Sequence, residues 1–280
     1  MVKLGFHVSI SGTIDRAVDR ATELGCDTFQ IFTRNPRSWG FNPLKEGEIE
    51  AFREKRIRKG IDPVFVHMPY ILNLASPDDE VYRRSVDSLA VELGRCSALG
   101  VPFLVTHLGS HRGSGADRGI VRIIEAINTA FDRHHEPVTV LLENGSGSGN
   151  LVGSSFEELR MILEGVEDAE RVAACFDTCH AFAAGYELRT PRGLGRTLAA
   201  FNDTVGIERL KLVHLNDSMG GLSTGIDHHE HIGLGEIGDE GFRGILHSQL
   251  ADVPMIMETP EDDRRSDADN MRKARELAVF

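Results

Sequence analysis

Residues 138–143 read VTVLLE, and the chain then runs at once into NGSGSGN at 144–150. The apolar run is short for a helix, lacks alternating polar positions and is rich in branched side chains. Those are the features of a strand buried on both faces, as in a parallel sheet. Its last residue is a carboxylate, and the glycines and serines that follow mark a loop. Seven more segments repeat the pattern of a short apolar run with an abrupt polar boundary: residues 4–8, 28–32, 64–67, 103–107, 172–177, 210–214 and 254–258.

Helical spacing fills the intervals. Ile14, Ala17, Val18, Ala21 and Leu24 recur on one face and stop at Gly25, and Tyr82, Val86, Leu89, Leu93 and Cys96 stop at Gly100. Each glycine stands where a helix would end in the left-handed conformation. Ser155 and Glu158 have the spacing of a capping box ahead of Phe156, Leu159, Ile162, Leu163 and Val166. Strands and helices alternate over 280 residues, close to the ~250 of a closed eightfold barrel. The expectation is an α/β fold, a (β/α)8 TIM barrel spanning residues 1–280 as a single catalytic domain, with HRGSGADRG and ENGSGSGN as loops after strands four and five.

Six consecutive strands end on a side chain that can bind a metal: His67, His107, Glu143, Asp177, His214 and Glu258. In a closed barrel the carboxyl ends of the strands converge on one face, which an open doubly wound sheet would not achieve. Three acids brought together would repel one another unless cations held them. Histidine and carboxylate donors suit catalytic zinc or manganese. A second set lies close by: His180 in FDTCH, and Asp227 and His229 in GIDHHEHIGLGEIG, where spacing alone does not choose between His229 and its neighbours His228, Glu230 and His231.

Other features narrow the function. Gly233, Gly235 and Gly238 satisfy G-x-G-x-x-G but follow a histidine-rich loop instead of a strand, so they are read as shaping a loop rather than binding a dinucleotide. His7 reads as a core histidine or one that orients a ligand, and His134 and His135 as exposed at a helix end. Four cysteines, Cys26, Cys96, Cys175 and Cys179, are too few for a disulfide framework and are expected to be reduced thiols; Cys175 and Cys179 have only weak zinc-ligand spacing. No run approaches the ~18 apolar residues of a membrane span, so a cytoplasmic protein without a membrane partner is expected. The formal charge of -12 argues against a broad basic surface for nucleic acid, although bound cations would reverse the local potential.

Nearly end to end, the motifs resemble those of the endonuclease IV family of abasic-site endonucleases: FHVSISG, FTRNPRSW, HMPYILNLASP, LVTHLGSH, LLENGSGSGNLVG, FDTCHAFAAGY, VHLNDS, DHHEHIGLGEIG and METP, in that order. The resemblance implies a barrel of the xylose-isomerase-like superfamily with three zinc ions in its mouth, and manganese is an alternative at some sites. His67, His107 and Glu143 would hold one ion; Glu143, Asp177, His214 and Glu258 a second; His180, Asp227 and His229 the third. It implies cleavage of double-stranded DNA 5′ to an abasic site, leaving a 3′-hydroxyl, and cleaning of blocked 3′ ends, with Glu258 and Glu143 in catalytic positions. Arg37, Tyr70 and Ile71 would contact DNA, while Pro36 replaces a polar contact found in some relatives. A monomer is expected, because a damage-binding barrel needs an open mouth. The alternatives are a metal-dependent sugar isomerase or epimerase, which would use only Glu143, Asp177, His214 and Glu258, and a damage-binding module that does not cut.

Overall fold

The structure, a computed structural model, describes residues 2–279. All eight expected strands form, within one residue of the expected bounds: β1 (Leu4–His7), β2 (Thr28–Ile31), β3 (Val64–His67), β4 (Phe103–Thr106), β5 (Thr139–Glu143), β6 (Val172–Asp177), β7 (Leu210–His214) and, after a short insertion, β10 (Met255–Met257). They close into a parallel barrel in the order β1-β10-β7-β6-β5-β4-β3-β2. The insertion holds two-residue strands, β8 (Asp217–Ser218) and β9 (His229–Glu230), paired antiparallel. The barrel closes tightly at Gly5, where a Cβ would lie 1.7 Å from the Thr28 carbonyl oxygen.

Two apolar regions result. One lies between the sheet and its outer helices and takes in residues such as Phe29, Phe52, Leu93 and Phe242. The other fills the barrel interior with Phe65, Val105, Leu141, Ala173, Cys175, Leu212 and Ile256, and the Phe65 and Phe103 rings stack there at 5.3 Å. This interior is a packed plug, as a barrel of this size requires.

The outer helices follow the apolar spacing. Helix α1 spans Arg16–Glu23, α2 Glu46–Lys59, and α3 Asp79–Leu99, which stops at left-handed Gly100. Helix α4 spans Ala116–Arg133, so the ADRG expected in a loop is its first turn, with Asp117 favourably placed against the helix dipole. Helix α5 spans Phe156–Gly165, and Ser155 accepts from the Glu158 N–H at 3.2 Å. The capping box is only half made. The loop folds back over the helix start, and Glu158 instead accepts from the N–H groups of Gly153 (2.6 Å) and Ser154 (3.1 Å). Helices α6 (Thr178–Ala184), α7 (Pro191–Thr204), α8 (Gly238–Leu246) and α9 (Asp267–Leu277) complete the ring. Among the described residues no helix is long and apolar enough to cross a membrane.

Candidate metal centre

On each ligand-bearing strand the candidate stands two residues after an apolar side chain of the barrel plug. The pairs are Phe65 and His67, Val105 and His107, Leu141 and Glu143, Cys175 and Asp177, Leu212 and His214, Ile256 and Glu258. Side chains two apart on an extended strand share a face. The alternation that packs the plug therefore also aims six polar side chains into the barrel mouth. A register slip at Ala174/Cys175, where β6 meets β7, sets Asp177 level with His214.

Buried Glu143 is the hub. Its Oε2 lies 3.2 Å from His67 Nε2 and 3.5 Å from His107 Nδ1, and its Oε1 lies 3.0 Å from His214 Nδ1 and 3.3 Å from His180 Nδ1. Asp177 Oδ2 is 3.8 Å from both His214 Nδ1 and His229 Nε2. Glu258 Oε2 is 3.5 Å from His214 Nδ1, and Asp227 Oδ1 is 3.0 Å from His180 Nε2. Three triads have donor atoms within 4.8 Å of one another: His67 with His107 and Glu143, Asp177 with His214 and Glu258, and His180 with Asp227 and His229. A further group, Glu143 with Asp177 and His180, joins them.

Hydrogen bonds on the far side of the imidazoles select the free nitrogen. A carbonyl can only accept, so His67 Nδ1 donates to Met68 O (2.7 Å), His180 Nδ1 to Asn144 O (3.0 Å) and His229 Nδ1 to Glu258 O (3.1 Å). Each leaves Nε2 for a cation. His214 is reversed: Nε2 donates to Gln30 Oε1 at 3.0 Å, and Nδ1 faces Glu143. The other end of the same amide, Gln30 Nε2, donates to Glu258 Oε1 at 2.8 Å. His7 Nδ1 lies 3.3 Å from that oxygen, so His7 orients a candidate ligand. Asn144 and Asn216 brace Asp177 in the same way, and Asn216 Oδ1 also accepts the Glu258 N–H.

The loop between β8 and β9 resolves the histidine cluster that spacing left open. Asp217 is buried and gathers the N–H groups of Gly233, Gly235 and Ile237 at 2.9–3.0 Å, so the glycine-rich turn wraps a carboxylate of the protein itself. Gly235 is required there, because a Cβ would meet the Ser218 carbonyl at 2.4 Å. Pairing of Ser218 with His229 points His229 inward. Glu230 turns away to Arg264 at 2.6 Å, buried His231 bonds Asp262 and Asn270, and His228 is exposed. Elsewhere, His135 is exposed as expected but His134 is half-buried, its ring lying beside Gly94 of α3.

The donor chemistry fits divalent cations. Burial opposes charge on Glu143, but His107, His214 and His180 outweigh it and hold the carboxyl well below its usual range. Burial likewise opposes protonation of His180, and Asp177, Asp227 and Glu143 outweigh it, holding the imidazole well above its ordinary value. Protons thus balance these acids in the absence of a cation, and nitrogen and oxygen donors of this kind suit zinc or manganese. The four cysteines are free and buried. Cys179 falls within reach of Asp177 and His229, but burial pushes its thiol up to about 12 and Sγ sits 3.7 Å from the His228 carbonyl.

The mouth is a cavity of about 290 Å³ lined by His67, Tyr70, His107, His180, Asp227, His229 and Glu258. Tyr70 is 59% exposed and also lines an adjoining groove of about 740 Å³, together with Phe32, Asn35 and Arg37. Arg37 is exposed and Ile71 half-buried beside Tyr70.

Residues 18–278 match the family described as "Xylose isomerase-like TIM barrel". A "Probable endonuclease 4" of Methanoculleus marisnigri is 55% identical over 99% of each chain, and one of Nitrosopumilus maritimus is 44% identical over 99% of this chain and all of the relative. The chain belongs to the endonuclease IV family. A solved member of the family, endonuclease IV from Thermus thermophilus, shares 39% identity and a TM-score of 0.88 over 98% of each chain. A D-tagatose 3-epimerase-like protein, 20% identical with a TM-score of 0.71, shares the fold. What the sequence reading passed over were the polar side chains behind the rim of this family's barrel: Gln30, Asn144, Asn216 and Asp217. The one available signal was an uncharged polar residue inside or just after an apolar run, as in TFQI at 28–31.

Proposed function

We propose that the chain is a metal-dependent DNA-repair endonuclease that hydrolyses the phosphodiester 5′ to an abasic site in double-stranded DNA, leaves a 3′-hydroxyl, and clears blocked 3′ ends at the same centre. The observation that carries this reading is the third triad, His180, Asp227 and His229, set beside the other two at the mouth. Sugar epimerisation needs only the set Glu143, Asp177, His214 and Glu258, so five rim ligands would have no purpose there. The names of the relatives support the same reading.

In this proposal His67, His107 and Glu143 hold one zinc, Glu143, Asp177, His214 and Glu258 a second, and His180, Asp227 and His229 a third, with manganese able to serve at some sites. When bound, the ions supply Lewis-acid activation of water and neutralise charge on the phosphate and the leaving oxygen. In this reading Glu258 takes the proton of the attacking water, supported by its 19% exposed side chain at the mouth and by the Gln30 Nε2 hydrogen bond to its Oε1 at 2.8 Å. Burial pushes its carboxyl up, but His214, His7 and His67 outweigh that and keep it well below the usual range, so it stays a carboxylate. Arg37, Tyr70 and Ile71 grip the duplex around the extrahelical sugar.

Incubation of the purified chain with a duplex carrying one abasic analogue tests the reading. Cleavage on the 5′ side is expected. Binding without cleavage would favour a damage-binding module, and neither outcome would favour sugar chemistry.

A further inference from the structure

Beneath the segment joining β2 to α2 lies a buried ionic network that touches none of the nine candidate ligands. Arg34 Nε donates to Glu92 Oε1 at 2.6 Å, with the two side chains 2% and 0% exposed. Thr33 Oγ1 donates to Glu92 Oε2 at 2.5 Å, and Arg95 donates through Nε to Thr33 Oγ1 and through Nη2 to Thr33 O, both at 2.6 Å. Both arginines then reach into the segment. Arg34 Nη1 donates to Ser38 O at 3.0 Å and Trp39 O at 3.2 Å, and Arg95 Nη1 to Asn42 O at 3.0 Å. Phe41 covers both guanidinium groups at 5.4 and 5.8 Å, and the Trp39 ring lies 4.3 Å from the Arg84 guanidinium on α3.

The consequence is directional. The carbonyls at 38, 39 and 42 are drawn inward toward α3, and Arg37, directly before the first of them, is left on the outer face with its side chain in the groove beside Tyr70. Stability is a poor reason for such a network. Buried ion pairs are often no more stabilising than apolar side chains of the same volume, and here Arg34 Nη2 is buried without a partner among the described residues. What apolar packing could not do is aim three carbonyls at fixed points.

We infer that Arg34, Glu92, Arg95 and Thr33 act as positioning residues that set the backbone carrying Arg37, and so control the grip on damaged duplex independently of the metal centre. The inference rests on the endonuclease reading. Its test compares Arg34→Lys and Glu92→Gln with the wild-type chain, all metal-loaded, on a duplex with one abasic analogue. Lysine keeps the charge facing Glu92 but cannot reach the carboxylate and both carbonyls together, so it serves if Glu92→Gln does not fold. Wild-type metal content, kcat within about twofold and KM raised roughly 10- to 100-fold are expected, since a small misplacement of a binding group is costly. Two results in a folded variant would overturn the inference alone: an unchanged KM, or a fall in kcat at constant KM, the mark of a smaller folded fraction. A wild-type chain that leaves the duplex intact would overturn the endonuclease reading, and the inference with it.

Discussion

The plug of the barrel and its rim are built from the same six strands, two residues apart, yet they hold opposite kinds of side chain. Phe65, Val105, Leu141, Cys175, Leu212 and Ile256 exclude water below; His67, His107, Glu143, Asp177, His214 and Glu258 gather charge above. The plug supplies rigidity, because close-packed side chains resist small displacements. The rim uses that rigidity to keep like charges near one another, which only cations or protons can compensate. The site is an extension of the core alternation, with one polar position added at each strand end.

The largest effect is expected at the rim. Glu258→Gln keeps the shape and removes the base, so kcat should fall about 10²- to 10⁴-fold in a cleavage assay while urea unfolding stays near wild type. Near-normal turnover would remove Glu258 from proton transfer. Leu141→Ala strikes the plug directly beneath Glu143. It should cost about 2–5 kcal/mol in urea unfolding through the cavity left behind, with the metal content of the folded protein preserved. A full complement of stability would show that the plug is not close-packed.

Gln30→Leu tests the seam between the two regions, since one amide orients both His214 and Glu258. Metal affinity measured by competition with a chelator should weaken about 10- to 100-fold, and unfolding of the metal-free protein should cost about 1–3 kcal/mol less, because His214 Nε2 loses its buried partner. The smallest effect concerns pH. The surrounding carboxylates raise the His180 pKa, so a cation entering there must displace a proton, and affinity should fall as pH falls. Titration calorimetry in buffers of different ionisation enthalpy should show proton release on loading; no release, or tighter binding in acid, would contradict this.

How far the sequence could be read follows from the same division. The eight strands were legible because strands buried on both faces read as unbroken apolar runs, and the six strand-end candidates that meet at the mouth because each interrupts such a run. Asp227 and His229 were not separable from His228, Glu230 and His231 by spacing, since a loop has no period that fixes side-chain direction. Only the short β8–β9 pairing and the Asp217 cradle decide it. Gln30 was hidden inside TFQI, where a single amide reads as one more strand residue. The network of Arg34, Glu92 and Arg95 was not legible, because its pairing spans 58 residues of chain or more and leaves no local trace.

The net charge of -12 leaves the rim as the place where phosphate would be attracted, since cations held by its four carboxylates would reverse the local potential there. The most direct measurement is therefore the metal content of the purified, zinc-saturated protein, determined by elemental mass spectrometry on a known chain concentration. The nine rim side chains acting as three linked triads predict about three ions per chain. A content that saturates at one, or no tightly held metal at all, would contradict the shared cluster on which the account depends.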